Sequence, residues 1–392
     1  MNDTITLFGA TLPDGRTRDV VLRNGRICVL RAPAQPYRLA RAHAEFAGPD
    51  LTGYLLLPAP AEPHLHLDRA LTWQPVGSDP DGRDGAIRSW QVRPARYALG
   101  DLRRRSRDAL RALIARGVTA VRTHLDVGDG RSPLRAVEVM ADVRAEFRHV
   151  LDLQIVALPV PGTSDRAIVD AVSAGADVIG GRPRLALDCR HETRRLLRLA
   201  DRAEVGVDLH VDDGFDPRVL AVGDLARLVR ASGFDRPVTA NHLAGLNRLA
   251  PSALGRVGEA IAASGMSVVA LPSPRGGGLP IRELLAAGIP VAAGGDRLRD
   301  TGHPMGRVDP LATAAATGLA PDRTWAAVST HARRAMGLEA GGIEPGAPAD
   351  LLAIRASSLA QALRALPRDR IVIKAGRVVT RSAPGRRVRA AA

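Results

Sequence analysis

This sequence predicts an α/β fold: a (β/α)8 TIM barrel with a small β-sandwich domain formed from the N- and C-terminal segments. Three observations predict it. Eight short apolar runs recur along the middle of the chain, and stretches with helix-period apolar spacing separate them. The two ends of the chain instead alternate apolar and polar residues with the two-residue period of strands.

The terminal pieces come first. Residues 1–57 contain "TITLFGATL", "RDVVLRNGRICVL" and "LLLP", and residues 345–380 contain "PGAPADLLAIR" and "RIVIKAGRVVT". Domain termini often lie close together. One β-rich accessory domain is therefore expected over 1–57 plus 340–385, with the barrel over 58–339. The segment 386–392 reads as a disordered tail.

The barrel runs follow in order. They are "YLLLPAPAEPHLHLD" (54–68), "GVTAVRTHLD" (117–126), "LDLQIVALPV" (151–160) and "ADVIGGRP" (176–183). Then come "VGVDLHVDD" (205–213), "PVTANHLAG" (237–245), "MSVVALPSP" (266–274) and "IPVAAGGD" (289–296). Stretches such as "PLRAVEVMADVRAEF" and "IRELLAAGI" lie between them. Near-continuous apolar strands joined by helices are what a closed parallel sheet requires, because both of its faces are covered. The length of 392 residues suits a large barrel plus an accessory piece.

Composition narrows the function classes. No run is long and apolar enough to span a membrane. The start, "MNDTITLFGA", lacks the features of a secretory signal. Cys28 and Cys189 form no metal or redox spacing. A reduced, cytoplasmic protein is expected. The net charge of +14 raises the question of nucleic acid. However, Lys374 is the only lysine, and the arginines are spread along the chain and alternate with acids, as in "RRRSRDALRALIARG". These read as solvated helix faces. Neither nucleic acid nor membrane is expected as a partner, whereas self-association into a homo-oligomer stays open.

The polar residues are placed unevenly. Chemistry in such barrels sits at the C-terminal ends of the strands. The first run ends in His64-Leu65-His66, and the second carries His124 and Asp126. The fifth carries His210, followed by Asp212 and Asp213; the sixth carries His242, and the eighth ends in Asp296. His43, His149 and His191 read as surface residues. Asp68 and Asp126 read as structural, holding histidine rings or loop amides.

Residues i and i+2 of a strand face the same side, so His64 and His66 can grip one cation, with His210 and Asp296 completing the site. Three imidazoles and a carboxylate suit one divalent metal ion, Zn or Fe. Such an ion lowers the pKa of its water to near neutrality. His242 could orient or deprotonate that water.

In these markers ("PHLHLD", "VRTHLDVGD", "LQIVALP", "DLHVDD", "VTANH" and "GGD", in order) the chain resembles the amidohydrolase superfamily. Within it, the chain is most similar to the cytosine deaminase branch and is also similar to the N-isopropylammelide amidohydrolases. The likeness covers about residues 50–380. It implies that His64, His66, His210 and Asp296 ligate the metal, that His242 contacts its water, and that Asp296 also relays a proton. Superfamily members with two metals carry a lysine on the fourth strand. "ADVIGGRPRLALD" has none, so a mononuclear site is expected.

The resemblance implies hydrolysis of a C–N bond in a cyclic amidine or amide by metal-activated hydroxide. Deamination of a nitrogen heterocycle, neutral or anionic, is favoured. Release of an alkylamine or opening of a ring amide is the alternative. A catalytically silent ligand-binding barrel is the non-enzyme alternative.

Departures from the branch bear on the substrate. Asp213 stands where those deaminases carry a glutamate that protonates the ring nitrogen, and its shorter side chain reaches about 1.5 Å less far. Val160 stands in place of a cytosine-binding glutamine, and Arg297 in place of an acid. The aromatic loop after the eighth strand is replaced near Thr301 and Gly302. Arg69, Arg182, Arg184, Arg297 and Arg299 follow strand ends and are candidates to clamp a carboxylate or phosphate. His124, Val160, Arg182 and Arg297 are the candidate substrate contacts.

Overall fold

The computed structural model describes residues 4–33, 48–73, 99–213, 220–272, 279–300, 306 and 309–382. His43, His303, Thr301, Gly302 and the tail at 386–392 lie outside the described residues.

Two sheets organise the chain. The strands β1 (Thr4–Thr11), β2 (Thr17–Arg23), β3 (Arg26–Arg31) and β4 (Leu55–Pro58) join β13 (Leu351–Ile354), β14 (Arg370–Lys374) and β15 (Arg377–Ser382). The order is β15-β14-β13-β4-β1-β2-β3, so strands from opposite ends of the sequence meet where β4 pairs antiparallel with β13. The second sheet holds β5 (Ala61–Leu65), β6 (Ala120–Val127), β7 (Asp152–Pro159) and β8 (Val178–Gly181). It continues with β9 (Gly206–Val211), β10 (Val238–His242), β11 (Ser267–Ala270) and β12 (Val291–Ala293), each parallel to its neighbour in sequence order.

A parallel bridge between Leu65 and Asp296 closes this sheet on itself. Asp296 N donates to His64 O at 2.9 Å, and His66 N donates to Asp296 O at 3.2 Å. Barrel closure therefore places the eighth-strand aspartate beside the first-strand histidines by backbone pairing alone.

The run 54–68 differs from the expectation of a single strand. It divides at Ala59-Pro60 into β4, in the terminal sheet, and β5, in the barrel. Proline has no N–H to continue a ladder, and the break lets one apolar run serve both sheets.

The helices between barrel strands are α1 (Leu99–Ile114), α2 (Arg131–Phe147), α3 (Asp165–Ser173) and α4 (Cys189–Arg202). They continue with α5 (Val222–Ser232), α6 (Pro251–Ser264) and α7 (Ile281–Ala286). Each starts and stops for a local reason. The Ser164 hydroxyl accepts from Ala167 N to cap α3, and Asp188 accepts from His191 N to cap α4. Gly233 ends α5 in a left-handed conformation, which only glycine adopts without steric cost. The stripe Leu196, Leu197, Leu199 and Ala200 of α4 packs on the strand residues Ile179, Val207 and Leu209.

The terminal sheet is tied to the barrel by more than apolar contact. Leu55, Leu57, Leu352 and Val372 pack with Trp325, Leu311 and Ala293. Lys374, at the end of β14, donates to Asp152 at 2.6 Å and Asp350 at 2.7 Å. The fully buried Arg370 forms a two-point pair with Asp309 at 2.9 and 2.8 Å.

Candidate active site

The site is built from strand alternation. On β6, residues Arg122, His124 and Asp126 occur at i, i+2 and i+4; on β9 and just beyond it, Asp208, His210 and Asp212 do the same. The strand members of these sets share a face, and in a closed barrel that face is the interior.

The upper layer is a histidine cluster. His64, His66, His124, His210 and His242 are all buried. Nε2 of His210 lies 3.4 Å from Nε2 of His66. The carboxylate of Asp296 lies 3.9 Å from Nε2 of His64 and 3.7 Å from Nε2 of His66. The His242 ring is 5.1 Å from that of His210 and 5.6 Å from that of His64. The four predicted ligands thus lie close together, and ligand atoms within 4.8 Å of one another are grouped as His64, His66 and His124 and as His64, His210 and His242. Among the described residues, both nitrogens of His64 and Nδ1 of His66 and His210 lack a hydrogen-bond partner. Buried imidazole nitrogens left without protein partners, converging beside a carboxylate, are what a metal site supplies.

Burial is the main cause holding His64, His66 and His210 well below the ordinary histidine pKa. Next come the His124 charge for His64, the Arg69 charge for His66 and the His64 charge for His210. Neutral imidazoles are the form that binds metal. The sign of the pH effect follows. Below about pH 6.5 the unfolded chain takes up protons that the fold excludes, so the metal-free protein loses stability as pH falls. Each imidazole contributes up to about 1.4 kcal/mol per pH unit until its folded pKa is reached. Denaturant midpoints at pH 7.5 and 5.5 check this, and equal midpoints would contradict it.

Beneath the cluster lies a layer that the sequence reading did not identify. Asp208, fully buried, accepts from Arg122 Nη1 at 2.7 Å and lies 2.7 Å from His124 Nε2; Asn241 also donates to it. Arg122 continues to Thr239 at 3.0 Å and Gln154 at 3.0 Å. Burial alone would raise the Asp208 pKa, but His124 and Arg122 hold it well below the usual carboxylate range. His124 is thus hydrogen-bonded inside the barrel under His64, with ring centroids 4.0 Å apart. Glu62 was also missed. Its Oε1 accepts from Gly295 N at 2.9 Å and His64 N at 3.2 Å, bracing the closure between the first and eighth strands.

The remaining predicted residues separate by what they hold. Asp213 is gripped at both oxygens by Arg184, with Arg184 Nη2 3.0 Å from Oδ2. Asp212 turns away at φ 52, and its carboxylate accepts from Ala221 N at 2.6 Å and Val222 N at 3.0 Å at the start of α5. Asp126 holds neither a histidine ring nor a loop amide, as had been expected. It binds Arg69 and, at 2.9 Å, Arg182. Burial pushes its carboxyl up, but these two guanidiniums outweigh that and hold it at about 2. Arg297 lies 3.7 Å from Asp296 and 3.6 Å from Asp300, while Arg299 is exposed. Val160 is half-buried just past β7, its N–H bonded to Val127 O. His149 and His191 are exposed, as expected of surface residues.

Asp212, His242 and Asp296 all have positive φ, at 52°, 75° and 61°. Non-glycine residues in that region are strained, and such strain concentrates at functional sites. All three lie at or just past the end of a barrel strand.

Comparison with known proteins agrees with this fold. The chain is 30% identical to a pterin deaminase from Rhizobium rhizogenes over 97% of this chain and 92% of that protein. It superposes on the solved structure of a 5-methylcytosine deaminase from Klebsiella pneumoniae with a TM-score of 0.86 and 27% identity, covering 98% of each chain. An N-isopropylammelide isopropylaminohydrolase from Burkholderia multivorans gives a TM-score of 0.85 and 28% identity, covering 97% of this chain and 98% of that one. The model of the amidohydrolase family matches residues 81–380. With barrel, strand-end histidines and relatives in agreement, this chain belongs to the amidohydrolase family and is an enzyme acting on C–N bonds other than peptide bonds.

Proposed function

We propose that this enzyme deaminates an amino-substituted nitrogen heterocycle, releasing ammonia, with one zinc or iron ion held by His64, His66, His210 and Asp296. The observation that carries the reading is the convergence of three neutral imidazoles and the Asp296 carboxylate inside the barrel mouth. A divalent cation bound there supplies a water that deprotonates near neutral pH.

The chain's own residues then have separate tasks. His242, beside His210, orients the water by hydrogen bonding. Asp296 accepts a proton from that water, the backbone closure having fixed its carboxylate next to His64 and His66. Asp213 relays to the ring nitrogen next to the reacting carbon a proton that the attacking water supplies. The two-point hold by Arg184 fixes the direction of its short side chain. Proton transfer needs hydrogen-bond reach, so the substrate must sit nearer this strand end than a glutamate would require.

The names of the relatives support the class of substrate. Pterin and 5-methylcytosine, named for two of these relatives, are both aromatic heterocycles whose amino-bearing carbon is bonded to a ring nitrogen. The Arg184–Asp213 pair also favours a second reading, in which the acid is fixed for a different leaving group and an alkylamine departs, as for the N-isopropylammelide relative.

Ammonia release from pterin, 5-methylcytosine and related aminoheterocycles, measured on protein with a known metal content, separates these readings. One metal per chain and ammonia as product is the expected outcome. Alkylamine from N-alkylated rings, with no ammonia from amino rings, would replace the deaminase reading with the second. Asp213→Asn should lower kcat by about two to four orders of magnitude, the usual contribution of a positioned acid. A change of less than threefold would remove Asp213 from the proton path.

A further inference from the structure

We propose that Arg182 selects the substrate by donating its guanidinium fork to a negatively polarised oxygen of the heterocycle; the proposal rests on the deaminase reading of the site. Of the arginines around the mouth, Arg69 is buried against Asp126 and Arg184 is spent on both oxygens of Asp213. Arg297 lies between Asp296 and Asp300, and Arg299 is exposed. Arg182 differs from all of these. It donates Nη2 to Asp126 at 2.9 Å, and among the described residues that is the one hydrogen bond of its side chain. Its side chain is only 16% exposed. Among the described residues its Nε and Nη1 make no hydrogen bond, and neither is among the fully buried nitrogens, so both stay open to a ligand entering the mouth.

The direction of the side chain follows from topology. Arg182 comes just after β8, whereas Asp126 lies in β6, and β7 runs between those two strands. The Arg182–Asp126 bond must therefore cross the end of β7, where Val160 stands with no polar group. The guanidinium occupies the region above the third barrel strand. Asp126, held from its other side by Arg69, is a positioning residue that aims the fork. A planar fork with two donors left over matches a ring oxo group or a carboxylate attached to the ring. Both present the same chemistry.

Pterin and 6-carboxypterin are probes that share a ring oxo group and differ by one carboxylate. Binding is read from their fluorescence and turnover from ammonia, using metal-loaded wild type, Arg182→Gln, Arg182→Lys and the exposed-site control Arg299→Gln. Arg182→Gln should raise Kd and KM about 30-fold, in line with a lost hydrogen bond to a charged donor, with kcat within about threefold. Arg182→Lys should recover part of the loss, and Arg299→Gln should stay within twofold. Equal weakening of both probes identifies the ring oxygen as the partner. Weakening of 6-carboxypterin alone identifies the carboxylate. Metal content and thermal midpoint separate this effect from misfolding, and the lysine variant carries the test should the glutamine variant lose either. Arg182 variants that bind both probes within twofold of wild type would overturn the proposal, as would wild type that binds neither probe saturably. Saturable binding without ammonia release would defeat the deaminase reading while leaving the arginine assignment in place.

Discussion

His66→Ala should yield folded protein that has lost its divalent cation and its activity together. The fold survives because His66 contributes to barrel closure through its backbone N–H to Asp296 O, which alanine keeps. The side chain contributes something else. Its Nε2 faces His210 at 3.4 Å and Asp296 at 3.7 Å, and removing it takes away one of the four proposed metal donors. Burial already holds the remaining imidazoles neutral, so no charge is left stranded. Losing the ion removes several kcal/mol of assistance to water deprotonation, so kcat/KM should fall by at least about four orders of magnitude. Elemental analysis, the thermal midpoint and ammonia release are read on the same sample. Near wild-type turnover by metal-free variant protein would refute the assignment.

The second large effect concerns stability. Asp208→Ala should destabilise the protein by about 3–5 kcal/mol, because it leaves the Arg122 guanidinium buried without its carboxylate. The same change removes the partner of His124 and Asn241. Removing both charges with Arg122→Met and Asp208→Leu should recover much of that loss, since well-packed apolar residues can replace a buried ion pair at little cost. A double-mutant cycle by chemical denaturation measures the coupling. Additive losses would mean that the pair is not coupled and that the layer is held by packing alone.

These two expectations mark where the sequence is readable. Alternation within a strand is local, so His64-x-His66 announces its own geometry, and each apolar run announces its strand. The pairing of Asp208 with Arg122, 86 residues away, depends on which strands lie side by side and in what register. A signal was present in the spacing Arg122-x-His124-x-Asp126 and Asp208-x-His210-x-Asp212, which places a charged residue below each interior histidine. The same applies at the mouth. Arg69, Arg182 and Arg184 all follow strand ends, but only the structure shows that Arg69 is buried against Asp126, that Arg184 grips both oxygens of Asp213, and that Arg182 makes a single side-chain hydrogen bond. The break at Ala59-Pro60 was signalled by its proline. It was read through because both halves are equally apolar.

Lys374 carries the one side-chain primary amine in this chain, and the fold hides it between Asp152 and Asp350 at the junction of terminal sheet and barrel. Acylating reagents need an accessible amine, and this one is buried while the junction holds. Side-chain labelling at Lys374 therefore reports separation of the two sheets against no background from other lysines. Attachment to amine-reactive supports would likewise proceed without side-chain anchoring on the native protein.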